Sequence, residues 1–146
     1  RQGLDGDTPA VFERIRRFCL AAGVDCTLVN VLSPTPDTLL WERLAAQERL
    51  LYTDFPADYA LYTQDNVCFR PQGMTPVQLQ EGTRWLIASL TRLPVSLRRA
   101  RCTWRVTRSP LATFTALLWN WRSYRALRHF PPRDVRTVAA LVDAQA

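Results

Sequence analysis

The apolar positions of this chain follow two periods. Val11, Phe12, Ile15, Phe18, Cys19 and Ala22 recur at three- and four-residue spacing, with Glu13, Arg14, Arg16 and Arg17 mostly on the other side. That spacing predicts an amphipathic helix. Thr8-Pro9 opens it, since Thr accepts a bond from an orphan N–H and Pro needs no donor at the first helical position, and Gly23 supplies the stop. From Cys26 to Leu32 the period changes: Cys-Thr-Leu-Val-Asn-Val-Leu is apolar or β-branched on both parities, as in a central parallel strand covered on both faces. If Gln2 to Leu4 ends an earlier strand, the order is strand, helix, strand. Ser33-Pro34-Thr35-Pro36 then breaks regular structure, because each proline removes a donor and holds the preceding residue out of the α region. Thr38 is placed to cap a short helix reaching Gln47, with Leu39, Leu40, Trp41 and Leu44 on its apolar side.

Leu50 to Gly73 has no sustained period. Tyr52, Phe55, Tyr59, Tyr62 and Phe69 are scattered among Asp and Pro, and only Val67 to Phe69 reads as a brief strand. Thr75-Pro76 repeats the earlier start signal, with Gln78 where a capping-box partner stands, and the helix is expected to reach Leu93 before Pro94. Leu97 to Arg108 is expected to be helical in part. Ser109-Pro110 restarts a helix to His129, Pro131-Pro132 stops it, and Arg133 to Ala146 makes a last short helix. The sequence therefore reads as mixed α/β over residues 1–73 and all helix over residues 74–146, mostly helical overall.

Composition narrows the function classes. The chain has 146 residues, 47% of them hydrophobic and 22% charged, which suits one globular core and excludes a disordered chain. The apolar run around Leu117, Leu118 and Trp119 is broken by Arg122 and Arg125 well short of the roughly 20 residues a bilayer requires. The chain opens on Arg1 without Met or a leader, so an excised segment of a cytoplasmic protein is expected. Cys19, Cys26, Cys68 and Cys102 are spaced too widely for a zinc or redox pair, and reduced thiols are expected. Every basic residue is Arg. Residues 1–74 hold seven Arg against ten acids, a balance of −3, whereas residues 75–146 hold twelve against three, a balance of +9. The second half suits a negative partner.

Three constellations carry candidate chemistry. Gly3-Leu4-Asp5-Gly6-Asp7-Thr8 passes from a strand end through glycines into a helix start, a place where open α/β sheets bind ligands, though an ordinary strand-to-helix loop looks the same. Asp5 and Asp7 suit a metal or a ligand hydroxyl, and equally the helix dipole. Asn30 is polar within an apolar strand and needs partners, which are either a ligand at the strand's carboxyl end or core groups, and the Ser33 to Thr38 loop follows it. Arg98, Arg99, Arg101, Arg105, Arg108, Arg122, Arg125 and Arg128 run without an acid, interleaved with Trp104, Trp119, Trp121 and Tyr124. That mixture suits an anionic membrane surface or nucleic acid, and also a solvated helical face. His129, the sole histidine, stands near no nucleophile motif, so no hydrolase is visible.

The order of these motifs is more informative than any one of them. Gly3 to Thr8, Val11-Phe12-Glu13-Arg14, Asn30-Val31-Leu32-Ser33-Pro34-Thr35-Pro36-Asp37-Thr38, Leu44, Arg49, Val67-Cys68-Phe69-Arg70-Pro71, Met74-Thr75-Pro76 and Leu79-Gln80-Glu81-Gly82 together resemble the tail of the cobalamin-binding radical S-adenosylmethionine proteins. The match covers about residues 3–93, and residues 94–146 resemble the variable helical end of the same proteins. In that family a cobalamin-binding domain precedes a partial TIM-type barrel whose cysteines hold a four-iron, four-sulfur cluster that cleaves S-adenosylmethionine.

The resemblance implies that residues 1–73 are an α/β remnant of that barrel plus an extended connection, with Gly3 to Thr8 ending its fifth strand and Cys26 to Leu32 forming its sixth. It implies cofactor-binding roles for Gly3 and Asp5 beside S-adenosylmethionine, and for Asn30, Pro34 and Thr35 on the adenine or substrate side. Two departures stand out: Asp37 occupies the glycine position of the usual Pro-Gly-Thr, and the cluster motif CxxxCxxC is missing from the chain. The cluster is the electron donor of such enzymes, so the chain alone is expected to be inert, with no catalytic residue and no metal ligand of its own. Its expected partners are the N-terminal part of the same enzyme, a small-molecule or lipid-like substrate and an anionic membrane surface at the periphery; nucleic acid is the weakest expectation. The rival reading is a non-catalytic Arg/Trp-rich module that binds an anionic membrane or a protein. An enzyme fragment should leave an exposed apolar edge around Thr27 to Leu32, and a self-contained module should cover it.

Overall fold

The computed structural model describes residues 3–24, 26–64 and 66–129. Five α-helices make up most of it: α1 (Ala10–Ala21), α2 (Leu39–Ala46), α3 (Pro76–Thr91), α4 (Leu93–Thr107) and α5 (Pro110–His129), with a 3-10 turn at Ala57–Leu61. The caps are those the side chains dictate. The Thr38 hydroxyl accepts from the Trp41 N–H at 3.3 Å to start α2. Thr75 and Gln78 form a full capping box, Gln78 N–H to Thr75 Oγ1 at 3.1 Å and Thr75 N–H to Gln78 Oε1 at 2.9 Å. Ser109 accepts from the Ala112 N–H at 3.3 Å before α5. α4 starts at Leu93, four residues before the expected Leu97, because Pro94 falls in its first turn, where its missing N–H costs nothing. The helix expected over Arg133 to Ala146 lies outside the described residues.

The strand expected over Cys26 to Leu32 is not formed. Residues 26–30 are non-helical and carry no ladder, and Val31 N–H donates to the Gln64 carbonyl at 2.9 Å. Among the described residues there is no named strand, so the expected barrel remnant is not seen, and Gly3-Leu4 ends no strand. The physical reason is that β-propensity measures packing on a pleated surface with neighbours on both sides, and no described segment lies alongside as a parallel neighbour. Val67 to Phe69 forms a single antiparallel bridge, Leu50 with Phe69, framed by Leu51 N–H to Cys68 O at 3.0 Å and Arg70 N–H to Arg49 O at 2.7 Å.

Contacts group the chain into two units. One unit comprises, among the described residues, 3–9 and 30–83; the other comprises 10–29 and 84–129, so α1 belongs with the later helices. The division falls within α3, after Thr83. The core of the first unit includes Val31, Val67, Phe69 and Leu79, each at most 2% exposed. Two glycines fasten its leading loop. Gly3 has φ +96, and a Cβ there would lie 2.9 Å from Phe69 Cζ and 3.0 Å from Leu79 Cδ2. A Cβ on Gly73 would overlap the Asp7 carbonyl oxygen. The second unit is built on α4 and α5, which pack on each other, and Cys102 of α4 sits against Gly23, the stop of α1.

Gly3→Ala forces a left-handed alanine into a filled space, so urea unfolding should register a loss of about 1–3 kcal/mol. Gly6→Ala, where an added Cβ meets nothing within 4 Å, is the control and should lose much less.

Candidate functional site

The loop at residues 3–8 is held by its own carboxylates. Asp7 Oδ2 accepts from the Gly3 and Leu4 N–H groups, both at 3.1 Å, and Asp7 N–H donates to Leu4 O at 2.9 Å. Asp5 points elsewhere: its Oδ2 takes Arg43 Nη2 and its Oδ1 takes Arg49 Nη2, each at 2.9 Å. Both oxygens of the carboxylate expected to border S-adenosylmethionine are thus occupied by arginines. Arg49 is the more consequential partner, since its side chain is 11% exposed against 60% for Arg43. Its Nε also donates to the Arg70 carbonyl at 2.7 Å and its Nη1 to Gln47 Oε1 at 2.9 Å. One guanidinium therefore joins residue 5, the end of α2 and residue 70, using the planar fork that Lys lacks.

The second group of expected site residues is set differently. Asn30 Nδ2 donates to Gln64 Oε1 at 2.6 Å, which satisfies the polar group that drew attention in the sequence. Pro34 is fully buried, while Thr35 is exposed and accepts the Thr38 hydroxyl on its carbonyl at 2.6 Å. Gly3 and Asp5 are thus brought together in one turn, and Asn30, Pro34 and Thr35 in one segment, but the two groups bond to different partners. Asp37 lies between Pro36 and Thr38 with φ +62, the left-handed region where glycine is at ease and an L residue carries strain. Position 37 is therefore one whose backbone calls for glycine, and Asp is among the few residues that tolerate it.

Thr27 to Leu32, the segment meant to discriminate the readings, is split. Leu28 is 77% exposed and Thr27 and Val29 are half-buried, whereas Val31 is 2% exposed. The four cysteines do not fit an iron-sulfur cluster. All are free thiols, Cys19 and Cys68 buried and Cys26 and Cys102 exposed, and no group of three His, Cys, Asp or Glu among the described residues is placed to hold a metal. Cys68 Sγ donates to the Leu61 carbonyl at 3.2 Å, and burial pushes its thiol up from 9.0 to about 12. Burial, and then the neighbouring Cys68, raise Tyr62 from 10.0 to about 12; its hydroxyl donates to the Tyr52 carbonyl.

Sequence reasoning missed Arg43 and Gln64, the partners of Asp5 and Asn30, and the pairing of Arg99 with Asn120, because contacts across 21 to 38 residues leave no local signal. Arg49 did stand in the order of motifs. No protein-family model, no curated protein and no solved structure matches the chain.

Three outcomes follow. Arg49→Ala should lose about 1–3 kcal/mol in urea unfolding, since it leaves Asp5 with Arg43 alone and takes the guanidinium donor from the Arg70 carbonyl, and Arg49→Lys should recover only part of that. Asp37→Gly should gain about 0.5–1 kcal/mol, against a loss for Asp37→Val, in the same measurement. Both Cys68 and Tyr62 are held neutral in the folded chain above the values at which they ionise when unfolded. Their contribution is therefore complete below about pH 9 and is lost as pH rises towards about 12, so unfolding midpoints should fall across that window and fall less in Cys68→Ala, compared with its own neutral-pH value.

Proposed function

We propose that the chain is the C-terminal part of a cobalamin-binding radical S-adenosylmethionine enzyme, in which residues 3–93 close the barrel side and the helices beyond extend it. The observation that carries the reading is Asp37. The family pattern places glycine at that position, and the backbone there is left-handed at φ +62, as a glycine site requires. The clustering of the other motif residues adds support: Gly3 packs on Phe69 and Leu79, Asp5 binds Arg49, and Arg49 binds the Arg70 carbonyl. Residues far apart in the chain that together carry the resemblance also hold one another in place.

Within the whole enzyme, Cys26 to Leu32 gains the neighbouring barrel strand that its β-branched pattern anticipates, and the exposed Leu28 is where such a neighbour fits. The cluster supplies the electron in this chemistry, and its ligands belong to the preceding part of the enzyme, since the cysteines here do not fit it. In this chain Asp5 is a positioning residue: with both carboxylate oxygens on arginines it orders the loop that borders the cofactor. Gly3, Asn30, Pro34 and Thr35 shape the rim of the same pocket when the barrel is complete. The substrate of the whole enzyme in this reading is a small molecule, apolar or lipid-like.

The test compares two proteins under reducing, oxygen-free conditions with iron, sulfide and a low-potential reductant. The longer protein that includes the preceding barrel should release 5′-deoxyadenosine from S-adenosylmethionine, and the 146-residue chain should release none. Cleavage by the short chain, or a reconstituted longer protein that binds no cluster, contradicts the proposal.

A further inference from the structure

α5 is inside out. The side it turns inward carries Ala116 and Asn120, 4% and 2% exposed, with Asn120 Oδ1 accepting from Arg99 Nη1 of α4 at 3.3 Å. At 100° per residue the opposite side carries Leu111, Phe114, Leu118 and Trp121, and these are 70%, 61%, 46% and 55% exposed. α4 likewise buries Ser96, Arg99, Ala100 and Thr103. Small and polar residues thus take the buried sides of both helices while four large apolar side chains line three turns of solvent-facing helix, a row about 15 Å long. Scattered exposed apolar residues need no explanation, but a continuous row marks an interaction surface.

The charge on and around the row selects its occupant. Arg122 and Arg125 follow Leu118 and Trp121 by four residues each and so stand on the same side, and the Arg125 guanidinium lies over the Trp121 ring, 5.0 Å from its centroid. Between Glu81 and Asp134 the sequence has eleven Arg and no acid. A partner must therefore offer both apolar depth and negative charge over an extended surface. Nucleic acid offers the charge without the depth. No helix among the described residues is long and apolar enough to cross a membrane, so the arrangement suits lying in the headgroup layer, with Leu111, Phe114, Leu118 and Trp121 towards the acyl chains and the arginines at the phosphates.

We propose that the outer face of α5 docks on an anionic lipid surface. The inference rests on α5 and its charge alone and stands whether or not the parent is a radical enzyme. The test is flotation of the 146-residue chain with phosphatidylcholine vesicles, with or without phosphatidylglycerol. The chain should float with the anionic vesicles and stay behind with the neutral ones. Arg122→Gln/Arg125→Gln should weaken partition roughly thirtyfold at low salt, from ~1 kcal/mol per surface charge. Phe114→Ser/Trp121→Ser should abolish flotation while leaving the helical circular dichroism unchanged, since both side chains point away from the packed side. Equal partition to neutral vesicles, flotation unchanged in both variants, or binding to nucleic acid in place of vesicles overturns the proposal.

Discussion

The first unit depends on where the Arg49 guanidinium sits. It is largely withdrawn from water, and its donors reach a carboxylate in the leading loop, the end of α2 and a carbonyl beside the Leu50–Phe69 bridge. A cation withdrawn from water is tolerated only when its hydrogen-bonding directions are met, so the three segments cannot move apart without stranding it. Among its described residues this unit has no sheet to fix the chain, and one forked side chain together with two close backbone approaches, at Gly3 and Gly73, takes that role. The consequence for function is that the loop at residues 3–8 is an ordered element in this chain, with its carboxylates already committed.

That commitment bears on the chemistry the chain can perform. A carboxylate engaged by two arginines orders a loop and has both of its oxygens committed. Cys68 is buried among aromatic side chains with its thiol held neutral, which suits packing and not ligation. The second unit adds a different property, because α5 turns Ala116 and Asn120 inward and leaves Leu111, Phe114, Leu118 and Trp121 outward.

The helices were legible in the sequence because their signals are local. Thr38, Thr75 with Gln78, and Ser109 sit at their caps, and the three- and four-residue spacing of α1 gave Val11, Phe12 and Cys19 as buried, although Phe18 and Ala22, placed on the same face, are exposed. The strand at Cys26 to Leu32 was misread because its pattern describes what a strand needs from neighbours that the described residues do not supply. Of the candidate site residues, Gly3 was recognisable as special and its left-handed φ gives the reason; the roles of Asp5 and Asn30 were not, since Arg43, Arg49 and Gln64 meet them from 34 to 44 residues away. Exposure of the outer α5 face was also hidden: a row of Leu, Phe and Trp at helical spacing ordinarily signals the buried side, and only the structure reveals that Asn120 points inward instead.

The measurement that bears most directly on the central claim is a reading of the coding sequence upstream of Arg1, translated in the same frame. The account predicts three cysteines spaced CxxxCxxC ahead of the Gly3 loop, preceded by a cobalamin-binding domain. A start codon immediately before Arg1, or an upstream region without those cysteines, would contradict it and leave the α5 surface as the chain's functional feature.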